Sequence, residues 1–382
     1  MFDHESGYDP SSVAPCVGST PAVANCKPMA ANAGRRSASD LQIAIQTLVG
    51  DDLAQVERLI TDSTQSHYEE VNRLGRRAAA MGGKRLRPVL LLLSAQASRT
   101  KPGSNVGPVD VGSVNVGAVH ADAARIRADM LYAAASVELV HAASLVHDDV
   151  MDGAVQRRHQ PTVVTQAGNA AAVLLGDFLF TRAYALAASC RTTRPARSIA
   201  SAATQLCVGE LRQQASVGRW GLTLKQYRSI LVQKTAALCE VSCRLGAWHG
   251  GAVREQVMAL AKFGRSLGLA FQIYDDWLDY WGDARVGKTL GTDLRQLKPT
   301  LPLLRLLSSV SERRRAQLIE ALEMNDFVRV QSALNASDSA EYTLAVAHRC
   351  ANAALDQLSY LPESPAKKCL IGVAEYSVQR RE

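Results

Sequence analysis

Residues 128–152 read ADMLYAAASVELVHAASLVHDDVMD: a long apolar run that ends in Asp148, Asp149 and Asp152. Ala and Leu dominate the run and no proline or glycine interrupts it, so propensity predicts a helix. At about 100° and 1.5 Å per residue, positions 148 and 152 fall on one helix face about 6 Å apart. Residues 271–279, FQIYDDWLD, repeat the pattern with Asp275, Asp276 and Asp279, again after an apolar stretch, LGLAFQIY. Like charges next to a core cost several kcal/mol per ion unless a counter-charge is supplied. A solvated helix end or a pair of N-caps would explain one such motif. Two, each with apolar helix before it and basic residues after it, point to Mg²⁺, whose hard oxygen shell is usually completed by substrate phosphate.

The cations complete that reading. Arg157 and Arg158 follow the first motif, and Lys288 and Lys298 follow the second. Upstream, Gly82-Gly83-Lys84-Arg85-Leu86-Arg87-Pro88 opens a helix that runs into PVLLLLSA. Its glycines let the backbone approach a ligand, Pro88 suits a helix start, and Lys84 and Arg87 can clamp an anion. By itself such a segment is a basic turn; beside metal-binding carboxylates it suits a diphosphate.

Outward from these motifs the chain of 382 residues is helical nearly throughout. Helices are expected at about 128–152, 169–190, 197–217, 223–249, 252–281, 301–323 and 339–360, and Val56, Leu59, Ile60 and Ser63 mark an earlier apolar stripe. No βαβ rhythm or short repeat occurs, so the expected architecture is all-α around one large core. Residues 1–39 lack periodicity and read as a disordered leader before a single domain over 40–382. Ser98 to Val119, rich in Gly and Pro, reads as an irregular surface insertion.

With 47% hydrophobic and 21% charged residues, the composition excludes a disordered or collagen-like chain. The net charge of +7 comes mostly as pairs and not in blocks, which fits an anionic small molecule at least as well as nucleic acid; no nucleic-acid partner is expected. Eight cysteines form no C-x-x-C pair; Cys239 and Cys243, one helical turn apart, read as core thiols in a reducing compartment. The first ten residues are acidic and carry no apolar stretch, so no signal peptide is expected. Asp177 and Arg182 interrupt the greasiest stretch, and a soluble, cytoplasmic protein is expected.

The ordered motifs GGKRLRP, LVHDDVMD with RR beyond it, GNAAAVLLGDFL, GELRQ, QKTAAL, FQIYDDWLD, GKTLGTDLRQLKPTLPL and YSVQR resemble the trans-prenyl (polyprenyl) diphosphate synthases, in particular their long-chain branch. The resemblance runs from about Asp40 to the C-terminus. It implies the isoprenoid synthase fold, an antiparallel helical bundle around a deep central cavity, usually as a homodimer. It implies that Asp148, Asp149, Asp152, Asp275 and Asp276 ligate about three Mg²⁺, with Asp279 in support. Arg157, Lys234, Lys288 and Lys298 would bind an allylic diphosphate, and Lys84, Arg87, His141 and Arg158 isopentenyl diphosphate. Thr235 and Gln272 would face the reacting carbons. On its residues alone, His141 reads rather as a packed core histidine, and only the resemblance reverses that.

Ser144 lies one turn before Asp148 with Ala143 beside it, and both are small. A tail growing past this wall meets no stopper there, so the product is expected to reach about eight to ten isoprene units, as in quinone side chains, with a peripheral membrane contact for its release. A short-chain synthase, a related cyclase and a regulatory subunit are the alternatives. The paired GGKRLRP and KPTLPL elements disfavour a cyclase, and two intact aspartate motifs disfavour a subunit. The pattern departs from the family at His159, Val164 and Ala167.

Overall fold

The computed structural model describes residues 38–80, 83–98, 116–158, 160–282 and 291–380. Lys288, His159, the segment before Ala38 and most of the expected insertion lie outside the described residues. Helices α1 (Ala38–Ser63), α2 (Glu69–Ala80) and α3 (Leu86–Ala97) precede the long α4 (Val116–Met151). A short hairpin, β1 (Gln156–Arg157) with β2 (Gln160–Pro161), turns the chain into α5 (Val163–Ala188). Next come α6 (Arg194–Gln214), α7 (Leu224–Leu231), a π-helical turn (Val232–Ala236), α8 (Ala237–His249) and α9 (Arg254–Trp281). The C-terminal part holds α10 (Thr292–Arg295), α11 (Leu301–Ser309), α12 (Glu312–Glu323), α13 (Phe327–Asn335), α14 (Ser339–Gln357) and α15 (Pro365–Ser377). The all-α expectation holds.

The boundaries follow local chemistry. Thr162 starts α5 by accepting from the Thr165 amide, and Thr223 with Gln226 forms a capping box at α7. The single helix expected over 301–323 is two: Ser311 caps a new N-terminus after extended Val310. α5 kinks at Gly168 (φ 82°), which is why periodicity alone places its start near residue 169. Helix α1 reaches two residues into the expected leader, and α4 begins at Val116, inside the expected insertion. Alanines at 118, 121, 123 and 124 favour that backward extension.

The core is one large cluster threaded by Leu90–Leu93 of α3, Ala133–Val140 of α4, Leu179 of α5, Leu238 of α8 and Phe263 of α9. Each fully buried Leu or Phe contributes about 1.5–3 kcal/mol relative to exposure. A second cluster, around Trp220, Tyr280, Leu303, Leu318 and Leu334, supports the C-terminal helices. Cys239 and Cys243 are core thiols, their ionisation pushed up by burial. Helices α4 and α5 are long and apolar enough to cross a membrane. The apolar stretch of α4 is 78% buried in the fold; that of α5 is 33% buried.

Candidate active site

The first aspartate motif closes α4. Asp149 is fully buried; its Oδ1 accepts from Arg157 Nε at 2.8 Å, while Oδ2 is buried without a hydrogen-bond partner. The Asp148 carboxyl is pushed up to about 7, by burial first and then by the charge of Glu210, against the pull of Lys234 and Arg157. His147 pins this helix end to α5: its Nε2 lies 3.0 Å from the Val173 carbonyl and 3.7 Å from Asp177. Gly176 makes room for it, since a Cβ there would lie 2.0 Å from that nitrogen.

The second motif lies in the last turns of α9. Asp276 is 3% exposed and accepts from the Tyr227 hydroxyl and, at 3.1 Å, from Gln272 Nε2. Gln272 in turn accepts from Thr235 Oγ1 at 2.8 Å. Burial and the charge of Asp293 push the Asp276 carboxyl up to about 8. Asp275 is paired with Arg380 at 2.9 Å. Asp279, expected among the metal ligands, has its oxygens on the amides of Thr292 and Asp293, at 3.2 and 3.0 Å, and so anchors the start of α10.

Cations join the two motifs. Lys298, 7% exposed and following α10, lies 3.0 Å from Asp152, and Gln296 Nε2 reaches the Asp152 carbonyl at 3.4 Å. Lys234 is held by Glu210 at 2.8 Å and Gln213 at 2.7 Å. The π-helical turn places Lys234 and Thr235 in sequence on the site wall. Gly209 lets α6 approach this turn, since a Cβ would meet the Lys234 amide at 2.5 Å.

On the other flank, Arg158 lies so close over Gly83 that a Cβ there would meet its guanidinium at 1.8 Å. The GGKRLRP turn and the Arg157–Arg158 pair therefore share one place. Burial first, then Arg157, pushes Arg158 below its ordinary range, with Arg85 and Arg87 adding to the effect. His141 is held well below the usual imidazole range by burial and then by Arg87, Arg157, Arg158 and Arg85, so it is neutral at pH 7. Lys84 donates to the Tyr376 hydroxyl at 2.9 Å. Ala143 is fully buried and Ser144 is 7% exposed, its hydroxyl bonded to the His141 carbonyl.

These groups fit a hard cation and an anionic ligand. Asp149 keeps a buried, unpartnered oxygen, Asp148 is desolvated, and four clustered guanidiniums repel each other. Among the described residues no three His, Cys, Asp or Glu side chains gather as a ready-made metal site. Mg²⁺ usually takes one or two carboxylates and completes its shell with phosphate and water. Tyr227, Glu210, Gln213 and Arg380 escape a reading by charge spacing. Glu210 and Gln213 lie within the GELRQ motif and Arg380 within YSVQR; Tyr227 lies outside the family motifs.

The polyprenyl synthetase family model matches residues 68–337. The octaprenyl diphosphate synthase of Escherichia coli is 33% identical over 341 residues, covering 88% of this chain and 98% of that protein. A polyprenyl synthase from Caulobacter crescentus, solved with calcium and isoprenyl diphosphate, is similar at 32% identity and a TM-score of 0.78, covering 91% of this chain and all of that one. A decaprenyl diphosphate synthase from Rhodobacter capsulatus aligns at 30% identity and a TM-score of 0.76, over 88% and 98% of the two chains. The chain therefore belongs to the polyprenyl synthetase family, as a prenyltransferase of its long-chain trans branch.

Proposed function

We propose that the chain joins an allylic diphosphate of the farnesyl or geranylgeranyl type to successive molecules of isopentenyl diphosphate, giving a long all-trans polyprenyl diphosphate for a quinone side chain. The observation that carries this reading is the Lys298–Asp152 pair across the two aspartate motifs, beside the separate arginine cluster over Gly83: two anion sites next to one set of carboxylates. Asp148, Asp152 and Asp275 are the carboxylates that solvent reaches, and they are the proposed Mg²⁺ ligands; Asp149 and Asp276 stand buried behind them. Bound Mg²⁺ supplies Lewis-acid stabilisation of the departing diphosphate. Lys234, Lys298 and Arg157 add fixed positive charge where negative charge develops in the transition state. Arg87, Arg158, Lys84 and neutral His141 hold the second diphosphate. Thr235 and Gln272, tied to each other and to Asp276, keep α9 and the π turn in register beside the reacting carbons. Small Ala143 and Ser144 form the proposed wall of the path taken by the growing tail.

The protein acts as a soluble homodimer in this reading. Leu174 and Leu211 are 68% and 70% exposed, and Val173, Tyr184 and Val208 surround them on α5 and α6. Residues 163–181 and 198–211 contain no Lys or Arg, so this face suits a second copy better than an anionic membrane. Incubation with farnesyl diphosphate, labelled isopentenyl diphosphate and Mg²⁺ tests the activity. Label in a long linear product is expected; cyclised hydrocarbon without label, or turnover only after a partner is added, would contradict it.

A further inference from the structure

Beneath the arginine cluster lies a carboxylate that the chemistry above does not use. Glu138 sits on α4 one turn before His141, with its side chain 1% exposed. Its Oε1 accepts from Arg85 at 3.1 Å, and its Oε2 is buried with no hydrogen-bond partner. Burial of an ion costs several kcal/mol unless a counter-charge is fixed beside it. Burial pushes its carboxyl up, and Arg85, then Arg87, pull it back towards the charged form.

Arg85 is already spent. It starts α3 in the left-handed region (φ 49°), a conformation rare for non-glycine residues, and its guanidinium bonds Glu57, Glu138 and the Ala79 carbonyl. It ties α1, α2 and α4 to the turn and has little left for a ligand. Arg87, two residues on, differs: its Nε is buried and unpartnered. Arg157, Arg85 and Arg87 all repel Arg158, and burial with the same arginines keeps His141 neutral. Asp149 is taken up by Arg157, so on the turn itself the counter-charge to Arg85 comes from Glu57 and Glu138.

We propose that Glu138 is a positioning residue: bonded to Arg85 at the start of α3, it holds the Gly83–Pro88 turn in the shape that presents Arg87 to isopentenyl diphosphate. The inference rests on the reading of that turn as the isopentenyl diphosphate site. Glu138 touches no substrate; it acts through Arg85 and Arg87. Its effect is confined to one of two substrates, which a merely structural ion pair would not produce.

The test is steady-state kinetics of Glu138→Gln with each substrate varied separately, beside its melting temperature and an Arg87→Ala control. Loss of a charge-assisted contact is expected to raise KM for isopentenyl diphosphate about tenfold or more, with KM for farnesyl diphosphate unchanged and kcat within a few-fold. Glu138→Asp keeps the charge but withdraws it by one methylene. A smaller rise in the same KM is expected, and this variant serves if Glu138→Gln folds poorly. If Arg87→Ala leaves KM for isopentenyl diphosphate unchanged, the reading of the site fails and the inference with it. If Arg87→Ala raises that KM while neither Glu138 variant does, or if the variants raise both KM values alike while lowering the melting temperature, the positioning role is overturned and the site reading stands.

Discussion

Lys298 Nζ lies 3.0 Å from Asp152 Oδ1, and this pair joins two halves of the site that are 146 residues apart in the chain. Lys298 is brought there by α10, whose first amides are held by Asp279 of the second motif. The two aspartate motifs are thus connected through a loop and a cation. Replacing Lys298 by Ala removes a fixed charge from the leaving-group side. Turnover is expected to fall about a hundredfold or more, roughly 3 kcal/mol, mainly in kcat. A loss confined to KM for isopentenyl diphosphate would place Lys298 on the wrong substrate.

Asp148→Ala and Asp275→Ala are each expected to cut turnover by orders of magnitude while leaving the helical circular dichroism spectrum intact. Removing a desolvated carboxylate also relieves an unfavourable burial, so the metal-free melting temperature is expected to hold or rise for Asp148→Ala. Near-native activity in either variant would contradict the metal role.

Tyr227→Phe deletes the hydroxyl that donates to Asp276 and leaves a buried carboxylate oxygen short of a partner. Urea unfolding is expected to show a loss of about 1–3 kcal/mol. A neutral result would mean that Tyr227 only fills space.

The metal-free protein should be most stable on the acid side of neutrality. In the fold, Asp148 is pushed up to about 7 and Asp276 to about 8, by burial in both cases. The unfolded chain releases the same protons near pH 4. Between those limits the folded state binds more protons, so its stability declines as pH rises from about 4 to about 8. Bound at Asp148, Mg²⁺ would take the place of its proton as counter-charge. Thermal melts at pH 5.5 and 8.5 should therefore show a lower melting temperature at pH 8.5 without metal, and a larger gain on adding Mg²⁺ there. A metal-free melting temperature that rises across this window would contradict the assignment.

Ala143→Phe is expected to shorten the product, because a ring at this fully packed position, just over one turn before Asp148, would push into the proposed path of the tail. Chromatography of the products reads this directly, and an unchanged chain length would remove Ala143 from the path of the tail.

The aspartates and the helices that carry them are legible in the sequence because each is a local pattern: an apolar run, a charge cluster, a spacing of four. The division of labour within each motif is not. Nothing in DDVMD distinguishes Asp149, bonded to Arg157, from Asp148, and nothing in DDWLD marks Asp279 as the anchor of α10. Those roles depend on residues brought from far along the chain. The same holds for the Ser311 break, where a capping hydroxyl outweighs an apolar pattern that reads through it. Tyr227 escapes notice because a buried tyrosine on a short helix looks like ordinary core until its partner is known. The arginines after Gly83 are legible as cations, but only the fold separates Arg85, which braces helices, from Arg87, whose buried Nε has no partner.

The most direct measurement is a crystal structure with Mn²⁺ in place of Mg²⁺ and a non-reactive farnesyl thiodiphosphate, read by anomalous scattering. Metal peaks should lie between the thiodiphosphate oxygens and both Asp148–Asp152 and Asp275, with Lys234 and Lys298 on the same diphosphate. Metal at one motif alone, or a diphosphate bound away from both, would contradict the account.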